Sequence, residues 1–232
     1  MKRVLVAWSS GKDSAWALHV LRQQSDVRIA GLLTTFNEAA GRVSMHAVRR
    51  ELVEAQAAAV GLPLWPVFLP WPCSNQDYED RMRAACTKAR LEGVQAIAFG
   101  DLFLEDVRQY RERQLSGSGL EPLFPLWHRD TPALAREMLT AGLKAKLTCI
   151  DPRKLALHWA GREFDSEFLA ALPEDVDPCG ERGEFHTFAY AGPMFQRCIS
   201  FRAGAVVERD GFVFADLIPG CADARVANQA LP

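Results

Sequence analysis

Three observations predict a doubly wound parallel α/β sheet followed by a smaller α+β domain. Short apolar runs alternate with helical periodicity through the first half of the chain, and such alternation builds parallel sheets through right-handed crossovers. Small polar turns end the first and fourth runs, at the sheet edge where folds of this class bind ligands. Beyond Phe185 the pattern changes to closely spaced strands broken by turn signals such as Asp210-Gly211. The division is expected after residue 128, with 1–128 as the parallel domain and 129–232 as the smaller one.

Each element has its own signal. Val4 to Trp8 is an apolar run that reads as a buried strand, and Ser14 to Leu21 opens a helix. Val27 to Thr35 is a second strand. Val43 to Val60 reads as a helix stopped by Gly61 and Pro63, and Leu64 to Leu69 is a third strand. Ser74 or Asn75 caps a helix running to Leu91, and Gly93 ends it. Val94 to Phe99 forms a fourth strand, Glu105 to Gln114 a charged helix, and Leu123 to Trp127 a short fifth strand. Pro125 places that fifth strand at an edge or at its own end. Thr131-Pro132 starts a helix with Gly142 just past its end. Ala145 to Ile150 is a strand and Asp165 to Leu172 a short helix. Phe185 to Tyr190, Arg197 to Phe201, Val206 to Glu208 and Phe212 to Leu217 complete the β-rich part.

Composition narrows the function classes. Apolar residues at 49% and charged residues at 24% fit a soluble globular chain. A net charge of −2 gives no electrostatic footprint for nucleic acid. No run is long enough for a membrane span, and the apolar stretch after Met1-Lys2-Arg3 is too short for a signal peptide. Cysteines 73, 86, 149, 179, 198 and 221 form no Cys-x-x-Cys pair, so reduced thiols and a cytoplasmic location are expected. Self-association into a homo-oligomer is left open.

The first chemical signal is the turn Ser9-Ser10-Gly11-Lys12-Asp13-Ser14 between strand and helix. Free N–H groups at a helix N-terminus, backed by the helix dipole, make a phosphate cradle. Lys12 adds a point charge and the serines add hydroxyls. A Walker A loop is excluded, because Val6 stands where its first Gly belongs and Asp13 follows Lys12. The second signal is Asp177-Pro178-Cys179-Gly180-Glu181-Arg182-Gly183-Glu184-Phe185-His186-Thr187. Its glycines allow close backbone approach and its acids suit an amine, a cation or Mg²⁺. A solvated acidic loop explains the composition equally well.

The turn at 9–14 resembles the PP-loop, Ser-Gly-Gly-x-Asp-Ser, of the N-type ATP pyrophosphatases, with Ser10 in place of the first Gly. If that position needs a positive φ, Ser10 is strained there. Together with Gly-Glu-x-Gly-Glu-Phe-His-Thr at 180–187, the chain resembles the diphthine–ammonia ligase family. The resemblance continues through Leu33-Thr34-Thr35-Phe36-Asn37, Met45-His46, Gly100-Asp101 and Pro125-Leu126-Trp127. It implies a Rossmann-type nucleotide-binding fold and an AMP-forming ligase. ATP would activate a small-molecule or protein-borne carboxylate as an acyl-adenylate, and ammonia would displace AMP. His186 stands where diphthamide-forming members usually carry an acid, which puts the acyl substrate, more than the reaction, in question.

On this reading Lys12 and the amides around Ser10, Gly11 and Ser14 face the α-phosphate, since adenylation needs cations and N–H donors there. Asp13 and Asp101 are candidate Mg²⁺ ligands, with helix capping as the alternative for Asp13. Thr34, Thr35 and Asn37 sit where adenine or ribose would lie, although turn formation explains Asn37 equally well. His46 is raised to a nucleotide contact by the resemblance alone. The same resemblance assigns Glu181, Glu184 and His186 to the acyl substrate or the amine. Arg108, Arg111 and Arg113 read as a solvated face, with Arg108 or Arg111 as phosphate clamps. Two other functions stay open: tRNA thiolation with Cys179 as sulfur carrier, and a non-catalytic adenine-nucleotide sensor.

Overall fold

A computed structural model describes residues 1–43 and 46–220. In chain order the elements are β1 (Lys2–Ala7), α1 (Lys12–Arg22), β2 (Val27–Asn37), β3 (Arg42–Val43), α2 (Arg50–Val60), β4 (Leu64–Leu69), α3 (Asn75–Leu91), β5 (Ala96–Ala98), α4 (Glu105–Leu115), β6 (Glu121–Leu123), α5 (Thr131–Thr140) and β7 (Lys144–Ile150). A short 3-10 turn (Leu157–Trp159), α6 (Ser166–Ala170), β8 (Phe185–Ala191), β9 (Phe201–Arg209) and β10 (Phe212–Pro219) follow.

The first sheet is built around β1, which pairs in parallel with β2 on one side and β5 on the other. β4 extends it beyond β2 and β6 beyond β5, both parallel, while β3 lies antiparallel along the end of β2. The chain therefore winds away from β1 in one direction through β2 and β4, then reverses to β5 and β6. That reversal places the switch point, and hence the ligand crevice, at the carboxyl ends of β1 and β5. Alternation along β1 feeds two cores. Val4 and Val6 pack with α1 and α2, and Leu5 packs on the other face with Met82, Cys86 and Ala89 of α3.

The second sheet is antiparallel, in the order β8-β7-β10-β9. Asp210 and Gly211, both at positive φ, make the tight turn that a two-residue β9–β10 hairpin requires. The apolar cluster under α1 and α2 runs without a break into Leu147, Phe168, Phe185, Phe188 and Leu217 of this part. Side chains of that size contribute roughly 1.5–3 kcal/mol each when fully buried, so the shared cluster holds the two sheets together.

Local signals set most boundaries. Ser74 and Asp77 form a capping box at the start of α3, Asp130 caps α5 and Asp165 caps α6. Four expectations change. The helix foreseen from Val43 begins at Arg50, and Val43 instead pairs with Phe36 while its N–H donates to Val48. Buried Val48 carries the i, i+4 spacing of Leu52 and Gln56 back beyond the true start, and Arg49 gives no side-chain cap to mark it. Met45 of the expected helix start lies outside the described residues, as does Cys221. The fourth strand shortens to Ala96–Ala98. The fifth shifts to Glu121–Leu123, with Phe124 to Trp127 forming a turn. No strand runs from Arg197; β9 starts at Phe201 and absorbs 206–208.

Candidate active site

The turn at residues 9–14 leaves β1 at the switch point and is held from three sides. Ser10 has φ +72°, a conformation that favours Gly because Gly has no β-carbon, and its hydroxyl is buried with no partner among the described residues. Its carbonyl accepts from the Ala189 N–H of β8 at 2.9 Å and from Gln56 Nε2 of α2 at 3.0 Å. Gln56 is fully buried and also joins Trp8 Nε1 to the Ala189 carbonyl, at 2.8 and 2.6 Å. Gly11 has an ordinary extended backbone. It is small because a β-carbon would stand 2.9 Å from the His46 ring and 3.2 Å from the Thr187 carbonyl.

No side chain caps α1. The Lys12 N–H donates to Thr187 Oγ1 at 3.0 Å, and the first-turn amides of Asp13 and Ser14 have no intrahelical acceptor. The Lys12 ammonium is buried between the rings of Phe164 and Phe185, where it donates to the Cys179 carbonyl and to both Asp13 oxygens at 3.0 and 2.9 Å. Burial alone would lower its pKa, but Asp13 overcomes that and holds Lys12 above the usual lysine range. Lys12 thus locks the second motif onto the first.

Around this contact lies a cavity of about 360 Å³. Ser9, Lys12, Asp13, Ser14, Thr35, His46, Gly100, Asp101, Glu181 and His186 of the expected site line it. Five expected residues do not. Ser10 and Gly11 act through their backbone. Thr34 is buried with its hydroxyl on the Trp8 carbonyl, and Asn37 accepts from the Ala40 N–H within a turn. Glu184 is buried inside its own loop, accepting from the Asp177 and Arg182 N–H groups, both at 2.9 Å.

Three carboxylates meet on the cavity wall. Asp13 keeps 28% of its side chain exposed, and Asp101 is paired with Arg111 at 3.4 Å. Glu181 reaches over from the second motif to accept the Leu102 N–H at 2.7 Å, beside Asp101. Burial, and then the negative charges of Asp13 and Asp101, push Glu181 up to about 7 against that hydrogen bond. Among the described residues no three His, Cys, Asp or Glu side chains are grouped to hold a metal unaided. Mg²⁺ that travels on a nucleotide needs only one or two carboxylates, and crowded, under-compensated Asp13 and Asp101 fit that requirement.

The His46 and His186 rings lie against each other with centroids 4.6 Å apart and planes tilted by 40°. His46 Nδ1 lies 3.1 Å from the Thr187 carbonyl and must donate to it, which leaves Nε2 as an acceptor. Burial drives His46 down to about 4; burial, His46 and Lys12 drive His186 down to about 3. Both rings are neutral at pH 7. The loop that carries His46 is strapped by Asp216 of β10, which accepts from Arg42 at 2.7 Å and Arg49 at 2.6 Å.

Sequence reasoning missed Thr187, Asp177 and Gln56. Asp177 organises the second turn by accepting from Thr131 Oγ1 and the Cys179 N–H. Its place at the head of the acidic motif was the available signal, whereas Gln56 sits in a helix with none. Of the arginines, Arg111 lines the cavity, while Arg108 pairs with Glu112 and lies over Phe124 and Trp127. Cys179 is buried with its thiol toward the Thr131 carbonyl, and burial pushes its pKa far up, which opposes thiolate chemistry.

The diphthamide synthase N-terminal domain family matches residues 1–122, and the diphthamide synthase C-terminal domain family matches residues 130–212. Similar proteins include the diphthine–ammonia ligase of Danio rerio, 27% identical over 92% of this chain and 91% of its own length. Those of Bos taurus and Homo sapiens are 26% and 25% identical, each over 92% of this chain and 88% of its own length.

Proposed function

The chain belongs to the diphthamide synthase family, and we propose that it is an ATP-dependent, AMP-forming carboxylate–ammonia ligase. Residues 1–128 would hold ATP and 129–232 would present the acyl substrate. One observation carries the reading: Lys12 and Thr187 join the turn at 9–14 to the motif at 180–187, so both line one cavity.

The substrate carboxylate attacks the α-phosphorus, the bond to the bridging oxygen breaks, and pyrophosphate leaves. Ammonia then adds to the acyl carbon, loses a proton, and AMP departs. The N–H groups of Asp13 and Ser14 stabilise the charge that develops on the α-phosphate, where one such donor is worth about 3 kcal/mol. Arg111 adds a guanidinium at the same wall. Thr35 and His46 contact the nucleoside side. Asp13 and Asp101 would hold Mg²⁺, which when bound neutralises phosphate charge. Glu181 and His186 face the acyl group and the amine; the Glu181 carboxylate, whose pKa is pushed up to about 7, takes the proton that nitrogen loses, while His186, held down to about 3, serves as a neutral hydrogen-bond partner. Glu184 acts as a positioning residue by fixing the turn that carries Glu181.

Nucleotide product analysis tests the reaction. With ATP, ammonium and a metabolite extract, AMP and pyrophosphate should accumulate together, and the carboxylate consumed identifies the substrate. ADP and orthophosphate as the main products would refute the assignment.

A further inference from the structure

Asp216 stands on β10 between buried Ala215 and Leu217, and its side chain takes the opposite face of the strand. The β9–β10 register shifts here: Ala215 pairs with Val206 and Leu217 with Ala203, so Gly204 and Ala205 both oppose Asp216. A bulge of this kind re-aims the side chain beside it. Gly204 supplies the room, since a β-carbon there would stand 3.1 Å from Asp216 Oδ2.

The carboxylate holds both ends of the stretch that carries His46. Oδ1 accepts from Arg42 Nη1 at 2.7 Å and from Arg49 Nε at 3.1 Å, and Oδ2 accepts from Arg49 Nη2 at 2.6 Å. Arg42 and Arg49 also face each other in an antiparallel bridge. Like charges directly opposite repel, so this folded-back stretch depends on the negative charge between them. Asp216 keeps only 18% of its side chain exposed, which limits screening by salt. Ala47, next to His46, has φ +54°, a left-handed backbone that disfavours a β-carbon. Its carbonyl accepts from Arg42 Nη1 at 2.7 Å, so the arginine that Asp216 holds also holds that turn. The His46 ring then rests on the Thr187 carbonyl, on His186 and over Gly11, at the cavity wall.

Resting on the nucleotide-binding part of the ligase reading, we propose that Asp216 is a positioning residue for ATP. Through Arg42 and Arg49 it keeps His46 at the cavity, so the second sheet helps to set the nucleotide affinity of the first. Asp216 itself does not line the cavity and acts only through His46.

A double-mutant cycle on nucleotide affinity tests this. The probe is α,β-methylene-ATP, whose α–β link cannot be hydrolysed, titrated by calorimetry below the onset of unfolding of every variant. Asp216→Asn keeps the shape and removes the charge. Affinity should fall by about threefold to tenfold, the loss expected for one hydrogen-bonded contact. His46→Ala should lose a similar factor, and D216N/H46A should bind no more weakly than H46A alone. Arg49→Met, which leaves Arg42 on Asp216, should follow the same pattern and serves the cycle if D216N does not fold. A purely structural role would lower the melting temperature of D216N and R49M without changing probe affinity, and that result overturns the proposal. Losses that add in the double variant overturn it too, because Asp216 would then act by a route other than His46. Full affinity in His46→Ala does the same. Failure of the wild-type protein to bind the probe would instead remove the nucleotide reading on which the proposal stands.

Discussion

Ser10 shows how one residue can oppose the conformation it must adopt. Its φ of +72° disfavours a side chain with a β-carbon, and its hydroxyl is buried unpaired. Left-handed backbone costs about 1–2 kcal/mol for such a residue, and an orphaned hydroxyl adds about 1–3 kcal/mol. Glycine gives back roughly 0.5–1 kcal/mol through its greater unfolded-state entropy. Ser10→Gly should therefore stabilise the protein by about 1 kcal/mol or more, raising the calorimetric melting temperature by about 2–4 °C; a fall would contradict the strain. The adjoining histidines make a second prediction at this scale. Their folded pKa values, about 4 and about 3, lie below the ordinary 6.5. The folded state thus binds fewer protons than the unfolded chain, and the stability present above pH 6.5 is lost as pH falls through 4. Glu181 has the opposite sign, because its folded pKa near 7 exceeds the ordinary 4.5 and its contribution is lost as pH rises toward 7. Urea midpoints between pH 7 and 4 should fall less in His186→Asn than in the wild type, and more in Glu181→Gln. Parallel curves for all three would show that neither group is shifted.

Between elements, single polar side chains do much of the joining. Gln56 on α2 holds Trp8 at the end of β1, Ser10 in the turn and Ala189 on β8. Gln56→Leu would keep the volume but take that partner from the indole N–H and the Ala189 carbonyl, while the Ser10 carbonyl keeps the Ala189 N–H. At about 1–3 kcal/mol for each such group, the loss should reach about 3 kcal/mol or more, read from the urea midpoint. ATP affinity should fall with it, since the turn loses one of its anchors; an unchanged midpoint would mean that these groups are satisfied elsewhere. Elements whose ends carry chemical signals were legible beforehand. Ser74 and Asp77, Asp130 and Asp165 cap where side-chain chemistry says they should. The stretch 43–49 was not, because apolar spacing there fits a helix and a short strand alike. The choice was made by pairing with β2 and by Asp216 holding Arg42 and Arg49 from the second sheet.

Across the whole molecule, one buried cluster runs under both sheets, and Lys12 crosses it to the Cys179 carbonyl. That contact joins segments far apart in sequence, and it changes what the motif residues do. Lys12, read as a phosphate ligand, is also a buried tie between the halves. Glu184, read as a catalytic acid, spends both oxygens on its own loop. Glu181 alone of that pair reaches the cavity. The sequence by itself determined the parallel sheet, and it marked the turn at 9–14 and the acidic motif as the places to look for a site. Each of these rests on local backbone chemistry: apolar runs, helix starts, and glycines beside charged groups. Only the tertiary structure decided which motif side chains meet, that His46 and His186 lie against each other as neutral rings, and that Glu181 sits beside Asp13 and Asp101 with its carboxyl pushed up. Those outcomes depend on burial and on distances between remote segments, which no local spacing encodes.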